Sequence, residues 1–302
     1  MRSISTLALL CCFVASVATA ALADPLIPGS DKITTTTHSY KTIGDVKLEL
    51  ECFYPADHKP TDKRPAIIFY FGGGWTGGTP KQFEQQATYF ATRGMVAITA
   101  DYRVKSRQNV TPDKCVMDAK SGVRWVRAHA AELGIDPDRI VAAGGSAGGH
   151  IAACTGTVPG YEEESEDKKI SSVPNAMVLF NPVLNTTTQG WPGKDHGAGL
   201  VARFGEHGEA LSPLHQVKKG NPPTLVIHGK GDTTVPYAHA EAFAQAMDKA
   251  GNRCELAGYE GQPHGFFNYG RGENKMFLAT TLEADKFLVS LKYLEGPATL
   301  GK

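Results

Sequence analysis

Ser146, Asp232 and His264 carry the three side-chain types that nucleophilic acyl transfer needs, and they occur in that chain order. A hydroxyl attacks a carbonyl only when a neighbouring base takes its proton. Imidazole is poised near neutrality for that task, and a carboxylate can orient it and stabilise the imidazolium that forms. The residue types alone select nothing, because the chain has 10 histidines and 31 Asp and Glu residues. The local setting has to choose.

Ser146 lies in Gly144-Gly145-Ser146-Ala147-Gly148, the pattern G-x-S-x-G. An apolar run, "RIVAA", precedes it, and a helical segment, "SAGGHIAACTG", follows. A tight strand-to-helix turn would strain the serine backbone, project its hydroxyl over the sheet edge, and admit only very small flanking residues. A plain glycine turn is the competing explanation, and position between strand and helix argues against it. His264 sits in "YEGQPHGFFN", after the last expected strand and before the last helix. That is where the base of a Ser…Asp…His hydrolase falls in chain order. The other histidines read as surface or structural: His38, His58, His196 and His207 in polar segments, His129 and His239 on helices. His228 packs at a strand end, and His150 makes a structural hydrogen bond one turn into the helix after Ser146. Asp232, in "HGKGDTTVPY", follows a strand; a turn aspartate capping the next helix is its alternative reading, and Asp195 and Glu260 are less well placed rivals.

A developing oxyanion needs backbone N–H donors that no side chain blocks. "FYFGGGWTGG" supplies them, with Gly73 and Gly74 expected as donors together with Ala147. Gly72, Gly74 and Gly77 also satisfy G-x-G-x-x-G, with Asp101 ending the next strand, which is formally a dinucleotide fingerprint. The helix signal at Thr79-Pro80 comes too late for that fingerprint, and Trp75 stands where a pyrophosphate needs close backbone approach. No metal or organic cofactor is expected. Phe71, Trp75 and Trp191 are candidate substrate-pocket residues, the two tryptophans either lining a sugar-facing cleft or packing in the core.

The elements around these residues predict an α/β fold. "LELECFY" alternates and forms, with the segment before the turn at Gly44-Asp45, an edge hairpin. "AIIFYF" and "MVAITA" are continuous apolar runs of strands buried on both faces, and "RIVAAGG", "NAMVLFNPV", "PPTLVIHG" and "RCELAGY" read as further strands. Helices alternate with them, each with start and stop signals: Thr79-Pro80 to Gly94, Thr111-Pro112 to Gly134, and a third closing at Gly251. The expected architecture is a mainly parallel central sheet with helices on both faces and an antiparallel N-terminal hairpin. Residues 158–174 and 184–222 are irregular and should lie near the ligand-binding edge of the sheet, the second as an insertion shaping the pocket. The acidic run Glu162 to Glu166 reads as a solvated loop.

The segments "FGGGW", "ADYR", "DAKSGVRWVRAHAAELGIDPDRIVAAGGSAGGHIA", "GKGDTTVPY" and "PHGF" resemble the α/β-hydrolase superfamily. More narrowly they resemble bacterial serine esterases of the hormone-sensitive-lipase-like and acetylxylan/feruloyl esterase-like families, over nearly the whole chain after residue 23. The resemblance implies the α/β-hydrolase fold and carboxylic ester hydrolysis through an acyl-enzyme. One departure stands out: the family usually has histidine before the three glycines, and here it is Phe71, which cannot donate a hydrogen bond to order that loop. A similarity to prolyl-peptidase catalytic domains is weaker. An exopeptidase, or a non-catalytic binding module on the same fold, are the alternatives in function.

Bulk properties bound the rest. With 31 Lys and Arg against 31 Asp and Glu in 302 residues, there is no electrostatic case for nucleic acid. The expected partner is a small-molecule or polysaccharide-linked ester. Residues 1–23 have a basic start at Arg2, a short apolar run and small residues at Ala18-Thr19-Ala20 and Ala21-Leu22-Ala23, the pattern of a cleaved signal peptide. That predicts a secreted or periplasmic protein with a single catalytic domain over residues 24–302 and no membrane association after cleavage. Of six cysteines, Cys52, Cys115, Cys154 and Cys254 lie after the leader. Cys115 and Cys154 fall on neighbouring helices, so a bridge between them and buried free thiols are both open.

Overall fold

The structure, a computed structural model, describes residues 26–191 and 197–301. The expected leader at residues 1–23 lies outside the described residues, as do Asp195 and His196.

Thr34–Ile43 (β1) and Val46–Tyr54 (β2) pair antiparallel around Gly44-Asp45. The later strands are Arg64–Tyr70 (β3), Val96–Ala100 (β4), Ile135–Gly145 (β5), Ala176–Phe180 (β6), Thr224–Gly229 (β7) and Cys254–Tyr259 (β8). They form one sheet in the order β1-β2-β4-β3-β5-β6-β7-β8. The pairs from β4 to β8 are all parallel, while β2 joins β4 antiparallel, so β2 alone runs against the rest. This is the α/β-hydrolase sheet that the sequence leads one to expect.

The helices are Glu84–Thr92 (α1), Lys105–Gln108 (α2), Pro112–Ala128 (α3), Ala147–Thr157 (α4), Gly197–Val201 (α5), Tyr237–Lys249 (α6) and Lys275–Ser290 (α7). Successive side chains of a strand point to opposite faces. On β3, Ile67 and Phe69 join one core with Phe90 of α1 and Phe287 of α7, while Ile68 and Tyr70 join the other with Val123 of α3 and Phe243 of α6. Both faces are covered, which is why the strand sequence is continuously apolar rather than alternating.

Two helix boundaries differ from expectation. The segment after Thr79 begins as a 3₁₀ turn, Pro80–Phe83, and Thr79 makes no side-chain cap. Tertiary contacts tighten that turn: Phe83 stacks on Phe69 with ring centres 5.1 Å apart, and Gln82 bonds the glycine stretch. The helix expected to run to Gly134 stops at Ala128, because the chain must turn there to enter β5 at Ile135.

The acidic run is not a solvated loop. Glu162 pairs with Lys120 and Arg124, Glu163 with Lys41, and Glu166 with Arg124. Helix α3 buries Lys120 and Arg124, and buried cations require counter-charges, so the segment is fastened over the helix. The "ADYR" and "DAKSG" segments are joined the same way: Arg103 donates to both oxygens of fully buried Asp118 at 2.8 Å, and Lys41 Nζ lies 2.8 Å from Oδ1. The four described cysteines are free thiols. A Cys115–Cys154 bridge is absent: Cys115 Sγ donates to the Arg103 carbonyl, and Cys154 Sγ lies 3.4 Å from His150 Nε2.

Candidate active site

Ser146 joins β5 to α4 with φ 54° and ψ −118°, a conformation that costs a non-glycine residue roughly 1–3 kcal/mol. The turn is crowded. A Cβ at Gly148 would stand 2.1 Å from the Tyr70 carbonyl, and one at Gly144 would stand 2.5 Å from the Gly148 carbonyl. Glycine is required at both positions, so the motif is steric in origin.

His264 comes from the loop between β8 and α7, and Asp232 from the turn after β7. The structure brings both to Ser146. His264 Nε2 lies 2.9 Å from Ser146 Oγ, and His264 Nδ1 lies 2.7 Å from Asp232 Oδ2. With Nδ1–H donating to the carboxylate, Nε2 is left to accept the serine proton. Glu260, a rival for the acid, is exposed and paired with Lys230.

Asp232 has more partners than the sequence disclosed. Its Oδ1 accepts the N–H groups of Thr234 at 2.8 Å and Val235 at 2.9 Å. Its Oδ2 also accepts Asn181 Nδ2 at 2.8 Å, and His228 Nε2 lies 3.3 Å away. His228 Nε2 is also 3.0 Å from the Val235 carbonyl, and since both neighbours are acceptors this nitrogen carries the proton. Burial pushes the Asp232 carboxyl up, but the hydrogen bonds from His228, His264 and the Val235 N–H outweigh it and hold the group well below the usual carboxylate range. The acid is therefore an anion with every lone pair engaged. The sequence predicts only a packing role for His228; the signal that it does more is its place four residues before Asp232 in "HGKGD". Asn181, at φ 42° just beyond β6, had no signal of its own.

The glycine stretch faces Ser146 across a cavity of about 430 Å³. Gly73 and Gly74 line it, with φ of 126° and 61°. Among the described residues, the N–H groups of Gly73, Gly74 and Ala147 form no hydrogen bond. Ala147 is buried at the first position of α4, where a helix leaves its N–H groups free and polarised. The stretch is held by a polar relay. Gly72 N donates to Gln82 Oε1 at 2.6 Å, Gln82 Nε2 to Asn268 Oδ1 at 2.9 Å, and Asn268 Nδ2 to the Gly265 carbonyl at 2.8 Å. The loops carrying Gly73 and His264 are thus tied together. In the dinucleotide reading Asp101 would bind a ribose, but both its oxygens are taken by Arg107.

Of the expected pocket residues, Trp75 lines the cavity, and its Nε1 donates to His150 Nδ1 at 3.2 Å. Phe71 does not line it. It is fully buried, its ring stacked on Tyr102 at 4.1 Å, and the Tyr102 hydroxyl donates to the Phe71 carbonyl. Just past the end of β3, Phe71 joins the same core as Tyr70 rather than alternating to the other face, and its ring lies against Tyr102 instead of the site. Trp191 also lies elsewhere, edge-on to His239 at 4.8 Å with its Nε1 donating to Asn185. The remaining wall includes Val183, Leu200 and Phe267.

A family model described as BD-FAE matches residues 50–247. The chain belongs to that family. The BD-FAE chain is similar to Thermogutta terrifontis esterase 2. In its apo form that protein is 51% identical with a TM-score of 0.83, over 90% of this chain and 98% of that one. A propionate-bound structure of the same esterase gives 52% identity and a TM-score of 0.82, over 87% and 96% of the two chains. Esterase LipC of Mycobacterium tuberculosis is 29% identical over 238 residues, 74% of this chain and 58% of LipC. The chain spans about half the length of the curated relatives it matches. Fold and family together make the BD-FAE chain an α/β-hydrolase.

Proposed function

We propose that this chain is an exported serine esterase that hydrolyses carboxylic esters through Ser146, His264 and Asp232. The observation that carries the reading is the unbroken hydrogen-bonded line from Ser146 Oγ through both His264 nitrogens to Asp232, at 2.9 and 2.7 Å, opening on a cavity walled by glycine N–H groups. Ser146 Oγ attacks the ester carbonyl while His264 Nε2 takes its proton. The N–H groups of Gly73, Gly74 and Ala147 receive the oxyanion. Collapse breaks the bond to the alcohol, which leaves with the proton from His264. Water, deprotonated by the same nitrogen, then frees the acid and restores the serine.

The apolar wall formed by Val183, Leu200 and Phe267 suits a short acyl chain, and the cavity is within the usual range for small ligands. Structures of the Thermogutta esterase are described with propionate or butyrate bound, and others as phosphonylated by sarin. These support a short-acyl esterase with a reactive serine. Acetyl and feruloyl esters of plant polysaccharide are the environmental substrates the proposal includes, and export, argued from residues 1–23, would bring the protein to them.

The test is labelling with a fluorophosphonate probe, alongside hydrolysis of acetyl, longer acyl and feruloyl esters and of matching amides. The expected result is one label per chain and ester turnover, both lost in Ser146→Ala with the circular dichroism spectrum unchanged. Turnover that survives Ser146→Ala overturns the mechanism, and preference for amides would favour an exopeptidase. A protein that neither labels nor turns over any ester would be a binding module.

A further inference from the structure

The charge of the cavity is one-sided. Arg203 and Arg271 line it, and no described Asp or Glu does. Asp232 is close, but its side chain is fully shielded behind His264. Neither arginine forms an ion pair among the described residues. Arg203 Nη1 donates to the Gly74 carbonyl at 2.6 Å, and Arg271 Nη1 to the His264 carbonyl at 3.3 Å, and both guanidinium groups are exposed. The nearest acid in sequence to Arg271, Glu273, is taken by Lys275 at 3.0 Å. In a chain of zero net charge, two cations at one opening with no ion-pair partner among the described residues form a local positive field.

We propose that the site selects esters whose alcohol portion carries a carboxylate, held at the cavity mouth by Arg271 in the field of Arg203. This rests on the esterase reading above. The side is set by proton transfer. The departing alcohol takes its proton from His264 Nε2, so the alcohol portion lies toward the His264 loop, and Arg271 hangs on that loop's carbonyl. Its single long bond there leaves most of its five N–H donors for a ligand, and a guanidinium fork matches a carboxylate. Arg203, tied to the glycine stretch, sits on the oxyanion side. Its charge attracts the anion, but its shorter bond, 2.6 Å against 3.3 Å for Arg271, fixes it on that side, away from the alcohol portion. Asn268 and Gln82 add uncharged polar atoms to the wall, so the mouth accepts an anion without a competing carboxylate.

The test compares the acetyl esters of 4-hydroxybenzoate and 4-hydroxybenzamide, which differ in charge and little in shape. The readout is the ratio of their kcat/KM values, normalised to hydroxide-catalysed hydrolysis of the same pair. The wild-type ratio should favour the carboxylate by about tenfold at low ionic strength and fall several-fold at about 0.5 M salt, where the screening length is a few ångströms. Arg271→Gln should bring the ratio near one, Arg271→Lys should retain part of it, and Arg203→Gln should lower it less than Arg271→Gln. Because each ratio is taken within one variant, general damage to turnover cancels. Hydrolysis of both esters without preference overturns this inference alone, as does a preference that survives Arg271→Gln. Failure to hydrolyse both of these esters while other acetyl esters turn over also overturns this inference alone, whereas failure on every ester overturns the esterase reading, and this one with it.

Discussion

At the scale of single residues, the site is a set of local costs offset by neighbours. Ser146 holds a backbone angle that only glycine adopts freely, and the packed turn of Gly144 and Gly148 keeps it there. Ser146→Gly should therefore be more stable than Ser146→Ala by about 1 kcal/mol, even though both remove the hydroxyl. Urea unfolding of the two variants checks this, and an alanine variant of equal or greater stability would show that the angle costs nothing. Much of this scale could be read from the chain. G-x-S-x-G at a strand–helix junction, and a histidine between Pro263 and Gly265 after the last strand, are local patterns. Asn181 escaped because its role depends on β6 and β7 lying side by side beneath Asp232, which no local pattern states, whereas His228, four residues before Asp232, had a local signal that a packing histidine shares.

At the scale of elements, the glycine stretch raises the question of what orders it when Phe71 occupies the place of a histidine. The structure answers with two separate supports. Phe71 packs inward on Tyr102, fixing the end of β3, and Gln82 on the 3₁₀ turn bonds Gly72 and passes the tie to Asn268 in the His264 loop. Neither support was legible, since Gln82 and Asn268 are 186 residues apart. Strands and helices, by contrast, were read close to their true places, because burial on one or both faces writes a period into consecutive residues. Gln82→Leu leaves the Gly72 N–H without its partner and cuts the tie. It should cost about 1–3 kcal/mol of stability and lower kcat roughly tenfold, with a smaller change in KM, because in the proposed mechanism the loop serves the transition state more than the ground state. Asn268→Ala should weaken the same tie, so the double variant should lose less than the sum of the two. Strict additivity in kcat would show that the relay does not act as a unit.

At the scale of the whole molecule, His150 joins pieces from three parts of the chain: its own helix α4, the glycine stretch through Trp75, and the irregular insertion through the Leu211 carbonyl. The ring is fully buried between Trp75 and Phe204, with the Cys154 thiol beside it and no carboxylate in contact among the described residues. Burial pushes its pKa down to about 4, against the bond to Leu211, which raises it. A proton added at Nδ1 would also displace the Trp75 N–H. Between pH 6.5 and 4 the unfolded chain takes up this proton and the native protein does not, so stability falls as pH drops through that window and levels off below it. The loss should approach about 3 kcal/mol. Asp232 works in the opposite range: its folded-state pKa is depressed, so its contribution is present above the ordinary carboxylate pKa and disappears only as pH falls beneath it. His38 and His58 are also lowered by burial but lie nearer the surface, so the comparison must isolate His150. Urea unfolding at pH 7 and pH 4.5 should show wild type losing about 2–3 kcal/mol more than His150→Asn, which is less stable at pH 7 but has no ring to titrate. Equal losses in the two proteins would mean that His150 takes up its proton in the native state as readily as in the unfolded one, and that the junction of helix, glycine stretch and insertion tolerates the charge.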